Sequence, residues 1–108
     1  MSPAGIGILL DRLHADCPFP RVYVTENGAA MPDHADPVGF VDDQDRIEYL
    51  RLHILEVKRA VERGVPLSGY FAWSLLENFE WAHGFSKRFG LIRVDYETLR
   101  RIPKASAD

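Results

Sequence analysis

The chain has 108 residues, 46% of them apolar and 27% charged, with a net charge of −3. That balance is ordinary for a globular chain and gives no electrostatic case for nucleic acid or an anionic membrane. A single cysteine, Cys17, excludes an intrachain disulfide, and no apolar run approaches membrane-spanning length. No leader peptide is visible, which says little in a chain that reads as beginning in mid-protein; a cytoplasmic location is the expectation.

Ser2-Pro3 opens a helix, with serine as N-cap and proline at the first helical position. Ile6, Leu9, Leu10 and Leu13 share one face of it. It should end near Cys17-Pro18, because proline disfavours helix at the residue before it. Arg21 to Thr25 reads as a short strand centred on Val22, Tyr23 and Val24. Glu26-Asn27-Gly28 follows at its exit, where Asn-Gly marks a tight turn with positive φ available. Ala29 to Asp43, rich in Pro, Gly and Asp, is a long loop. Its Asp33, His34, Asp36 and Asp42 lack the regular spacing of a calcium loop, so neither a metal nor another cofactor is expected.

Asp42 or Asp43 then caps a long helix to about Arg63, with Gly64 as its stop. Ile47, Leu50, Ile54, Val57 and Val61 form the apolar stripe, widened by Leu55. Lys58 and Glu62 are spaced to pair, and His53 is expected on the solvated face. Val65-Pro66 leads into a strand from Leu67 to Ser74. Strand, long helix, strand is a βαβ unit with parallel strands and a right-handed crossover. Beyond it, Leu91 to Asp95 alternates as a short extra strand, and Tyr96-Glu97-Thr98 turns.

The run from Gly69 to Trp81 organises the rest. Tyr70, Phe71, Ala72 and Trp73 suit a strand covered on both faces. Glu77, Asn78 and Glu80 cannot lie unpaired in an apolar core, yet Phe79 and Trp81 are interleaved with them. Indole faces pack on the C–H faces of a pyranose, and carboxylates accept strong bonds from vicinal hydroxyls. The run therefore has the chemistry of a sugar site. Glu26, at the C-terminal end of a parallel strand, lies where barrel active sites lie.

Two stretches carry a resemblance. Trp73-Ser74-Leu75-Leu76-Glu77-Asn78-Phe79-Glu80-Trp81, followed by Ser86-Lys87-Arg88-Phe89-Gly90 and Val94-Asp95-Tyr96, resembles the C-terminal signature of the family 1 glycoside hydrolases. These are the β-glucosidase-type retaining enzymes. Tyr23-Val24-Thr25-Glu26-Asn27-Gly28 resembles the family's nucleophile motif, and Pro103-Lys104-Ala105-Ser106 its lead into the last barrel helix. The resemblance covers nearly all of the chain.

It implies an α/β fold: the C-terminal quarter of a (β/α)8 TIM barrel over residues 1–108, with strand 7, helix 7, strand 8, a flanking helix and a short extra strand. A whole barrel needs about 250 residues, and the family's acid/base motif, T-x-N-E-P, does not occur in this chain. A segment of a longer protein is therefore expected. The resemblance further implies retaining hydrolysis of β-glucosides by the parent protein. Glu26 would be the nucleophile. Trp73 would form the stacking floor, and Glu80 would accept from the sugar's O4 and O6 hydroxyls. Trp81 would donate to O3, and Phe89 would pack beside the O6 end. A carboxylate at 80 would repel a 6-phosphate, which favours an unphosphorylated sugar. Glu77 stands where the family more often has Asp.

The expected partners are a β-glucoside or oligosaccharide and the remainder of the barrel. Self-association and little or no turnover are expected of the isolated chain. Two other readings stay open: a sugar-contacting segment without catalysis of its own, and a purely structural βαβ unit.

Overall fold

The computed structural model describes residues 2–108. Helix α1 spans Ala4–Asp16 and helix α2 Gln44–Glu62; strands β1, Val22–Asn27, and β2, Leu67–Ala72, pair in parallel on either side of α2 in the chain. A second, antiparallel pair joins β3, Ile92–Val94, to β4, Arg101–Pro103. Single 3-10 turns lie at Trp81–His83 and Ala105–Ala107. No helix among the described residues is long and apolar enough to cross a membrane.

The ends of α1 differ from expectation at one side only. Pro3 occupies the cap position with φ −57° and no side-chain cap is made, so Ser2 contributes its carbonyl, which accepts from Gly5 N–H at 3.1 Å, rather than its hydroxyl. At the far end Cys17, preceding Pro18, leaves the helical region with φ −140° and ψ 85°, as the proline requires. Of the expected face, Leu10 is buried and Ile6 packs beside it, but Leu9 and Leu13 face outward.

Helix α2 begins and ends where expected, with Gly64 at φ +106° beyond its last turn. Three details are corrected. Asp43 holds the N-cap position without capping, because its carboxylate is turned to Arg46 and Ser106. The buried row is Arg46, Tyr49, His53, Val57 and Ala60, not the stripe through Ile47, Ile54 and Val61; only Val57 belongs to both. Both rows satisfy three-and-four spacing, and the helix turns its mixed polar and aromatic row inward. His53, expected in solvent, is only 7% exposed; its Nδ1 lies 2.7 Å from the Tyr49 carbonyl and its ring packs on the Tyr49 ring, with centroids 3.9 Å apart. Outside, Arg51 pairs with Glu48 at 2.7 Å and Lys58 with Glu62 at 3.7 Å.

The core is small and one-sided. Leu10, Val57, Ala60 and Val65 are buried, with Ile6, Val22, Val24, Leu67 and Tyr70 packed against them. The helices thus cover one face of the β1–β2 pair. The other face is open, with Tyr23 49%, Phe71 57% and Trp73 37% exposed. The radius of gyration is 15.9 Å, against about 13 Å for a compact domain of this length.

Strand β1 runs two residues further than expected, taking Glu26 and Asn27 into the strand, while β2 stops at Ala72, short of Ser74. The extra strand at 91–95 appears as β3, and the turn at 96–98 carries the chain back into β4, a partner the alternation of Leu91 to Asp95 did not announce.

Candidate active site

The two motif-bearing strands meet at their C-terminal ends. Val22 pairs with Leu67, Tyr23 with Gly69, Val24 with Tyr70 and Asn27 with Ala72, so three steps along β1 face two along β2 between Val24 and Asn27. The extra step falls at Thr25–Glu26, where inside-outside alternation breaks and both residues are exposed. Such a slip re-aims a side chain, and here that side chain is Glu26.

Beyond the slip the strands are pinned. Trp73 N–H donates to the Asn27 carbonyl at 2.8 Å. A Cβ at position 28 would overlap the Trp73 carbonyl, so only glycine allows this approach. Gly28 is not among the residues with positive φ. The expectation of a positive-φ Asn-Gly turn is therefore replaced by a requirement for space. Tyr70 hydroxyl donates to Asn27 Oδ1 at 2.7 Å, and Tyr49 hydroxyl to the Gly28 carbonyl at 3.2 Å.

The second motif then folds over this junction. Trp73 Nε1–H donates to Glu80 Oε1 at 3.2 Å. Glu80 is also held through its backbone: its N–H donates to the Gly84 carbonyl at 2.7 Å and its carbonyl accepts from His83 N–H at 2.8 Å. Glu26, Trp73 and Glu80 are thereby linked through one residue and two hydrogen bonds. Trp81 stands apart from this linkage: it is 85% exposed, with φ 45° at the start of the 3-10 turn. Phe89 is half-buried, and its carbonyl accepts from Ser74 N–H at 3.4 Å.

A family model for glycosyl hydrolase family 1 matches residues 1–108. The chain belongs to that family. It is 53% identical over 104 residues to β-glucosidase A of Thermotoga maritima, covering 96% of this chain and 23% of that protein. It is 50% identical over 112 residues to a bifunctional β-D-glucosidase/β-D-fucosidase of Bifidobacterium breve, covering 100% of this chain and 24% of that protein. The solved family 1 β-glucosidase of Thermotoga maritima in complex with isofagomine lactam superposes with a TM-score of 0.95 at 52% identity, covering 98% of this chain and 24% of that one. The chain therefore spans about a quarter of the length of these relatives and is an incomplete α/β piece of the family 1 fold.

Beside these residues lies an ionic network that sequence reasoning did not assemble. Arg46, Lys104, Asp33, Asp43 and Glu77 have almost fully buried side chains. Arg46 pairs with Asp43 and, at 3.1 Å, with Asp33, and donates to the Arg88 carbonyl at 2.8 Å. Lys104 bridges Asp33 and Glu77, the latter at 2.8 Å, and Arg88 closes on Glu77 from the other side. Three carboxylates thus meet three cations, as burial demands. Burial alone would push the Asp43 carboxyl up; hydrogen bonds from Ser106 and Arg46 outweigh it and hold Asp43 below the usual carboxylate range. Glu77 also accepts from Val94 N–H at 3.2 Å, which ties the loop ahead of Glu80 to β3.

Of the long loop's aspartates, Asp33, Asp36 and Asp43 have such structural partners. Asp33 serves the network, and Asp36 Oδ1 accepts from Val38 and Phe40 N–H at 3.0 and 2.8 Å, shaping its own turn. The signal for Arg46 was its place in the row with Tyr49, Val57 and Ala60. Lys104 gave no local signal.

Proposed function

We propose that residues 1–108 supply strand 7, helix 7 and strand 8 of a (β/α)8 barrel that hydrolyses β-glucosides with retention. The observation that carries this reading is the junction at which Asn27 and Gly28 lock onto Trp73, joining the backbone that follows Glu26 in one motif to the first residue of the other. The names of the relatives support a β-glucoside as substrate.

In this reading the Glu26 carboxylate attacks the anomeric carbon as the glycosidic C–O bond breaks, and the sugar is held as a glycosyl ester until water displaces it. The leaving oxygen takes its proton from a second carboxyl about 5–5.5 Å away, contributed from outside these residues. Trp73 is the floor under the pyranose. Glu80 accepts from O4 and O6, Trp81 donates its indole N–H to O3, and Phe89 packs beside the O6 end. The negative charge at 80 disfavours a 6-phosphate and selects an unphosphorylated sugar.

The test is covalent labelling of a complete barrel carrying this segment by an activated 2-deoxy-2-fluoro-glucoside. The label is expected on Glu26 by peptide mapping, with hydrolysis abolished in Glu26→Gln. A label on any other carboxylate overturns the assignment.

A further inference from the structure

The register slip that exposes Glu26 leaves it without a strand neighbour at its own step, so its aim depends on what fixes the residues that follow. The ladder holds Val24 opposite Tyr70 and resumes only at Asn27 opposite Ala72. Between those points the chain carries one residue more than its partner, and Glu26 is the last of the unmatched pair.

Two side chains brace the far end. Tyr70 rises from β2 and its hydroxyl meets Asn27 Oδ1 at 2.7 Å; Tyr49 rises from α2 and its hydroxyl meets the Gly28 carbonyl at 3.2 Å. Tyr70 is the nearer and shorter bond, and it reaches the side chain next to Glu26 rather than the backbone beyond it. Its ring packs against the buried core under the strands, so its hydroxyl is held by packing. Burial, with the neighbouring Tyr49, pushes the Tyr70 phenol up to about 12. The group therefore remains a donor at any working pH.

We infer that Tyr70 is a positioning residue for Glu26, acting through Asn27 to hold the slipped step of β1 in its aimed conformation. This rests on the reading of Glu26 as the nucleophile. It gives a phenol on the side of the sheet away from the substrate a role in the rate of the chemical step without any contact to the sugar.

The experiment follows the covalent labelling of Glu26 in the complete enzyme, separating the limiting labelling rate from the affinity for the fluoro-glucoside. Tyr70→Phe is expected to slow the limiting rate about tenfold with affinity unchanged, since one lost hydrogen bond misplaces the attacking oxygen rather than the sugar. Asn27→Ala is expected to slow it comparably, and the double variant to be no slower than the worse single one. Labelling at the wild-type rate in Tyr70→Phe, or a double variant whose loss is the product of the two, overturns the inference. If Tyr70→Phe does not fold, Asn27→Ala decides alone: a wild-type rate there overturns it equally. A label that maps elsewhere in the unsubstituted enzyme refutes the nucleophile reading instead, so the two failures are distinguishable.

Discussion

Glu80 already has a partner within the chain. Its carboxylate is tethered to the Trp73 indole at 3.2 Å and its backbone is closed on His83 and Gly84. A side chain held in place loses less rotamer entropy when it binds. Glu80→Ser in the complete enzyme is therefore expected to cost glucosides roughly 1.5–3 kcal/mol of transition-state binding, the worth of a charged hydrogen bond. Xylosides, which lack O6, should lose less. Comparing kcat/KM for the two substrates checks this; equal losses would argue against a contact to O6. Asp43 makes a pH-dependent contribution. Its pKa is lowered in the folded protein, so its stabilisation is present above the unfolded value and is lost as pH falls through the folded one. Urea melts of the complete protein should show the wild type more stable than Asp43→Asn at neutral pH. The two curves are expected to converge below about pH 4.

At the scale of elements, the ionic network joins the long loop, the start of α2, the loop before Glu80 and the end of β4. Lys104→Met would leave Asp33 and Glu77 facing each other without their shared cation, and removing one partner of a buried pair costs about 3–5 kcal/mol. A fall in the denaturation midpoint of that size, with loss of activity only through unfolding, is the expected outcome by chemical denaturation. This network also marks where sequence reasoning stopped. The two helices, β1, β2 and β3 were legible because each carries its own periodicity or punctuation, such as Pro18 after α1 and Gly64 after α2. The buried row of α2 was not, since the helical period alone does not choose between the Ile47 and Tyr49 rows. The choice is made by partners that lie far along the chain: Ser106 lies 63 residues from Asp43, and Lys104 lies 71 from Asp33. The same holds for Gly28, whose need for space comes from Trp73. The candidate residues Glu26, Trp73 and Glu80 stand in recognisable motifs, whereas Tyr49 and Tyr70, which brace Asn27 and Gly28, had ordinary places in a helix and a strand.

The whole molecule is a wedge, long in one direction at 49 Å and about half that in the others. Helices cover one side of a two-stranded sheet, and a two-stranded sheet is marginal alone. Beside β1 lies a trough of about 540 Å³ between that strand and α1, lined by Leu9, Leu13, Tyr23 and Glu26 among others. Phe71 and Trp73 lie on the uncovered strand face, and burying each such ring is worth ~1.5–3 kcal/mol. The 108 residues by themselves are therefore expected to self-associate or melt without cooperativity, and to show no β-glucosidase turnover. Sedimentation, thermal melting and an aryl-glucoside assay on the purified chain check this. A cooperative monomeric melt would refute the structural half. Turnover that disappears in Glu26→Gln would refute the functional half.

The contact of Gly28 with the Trp73 carbonyl makes the site a proofreader of its own assembly. If β2 slid one residue along β1, Trp73 would leave its seat, and the side chains of β2 would exchange faces. Tyr70 would turn away from the core and the Trp73 indole would turn toward the helices. In the proposed reading Glu26 and Trp73 thus share one register: a barrel closed on the wrong rung would lose the reaction and the packing together.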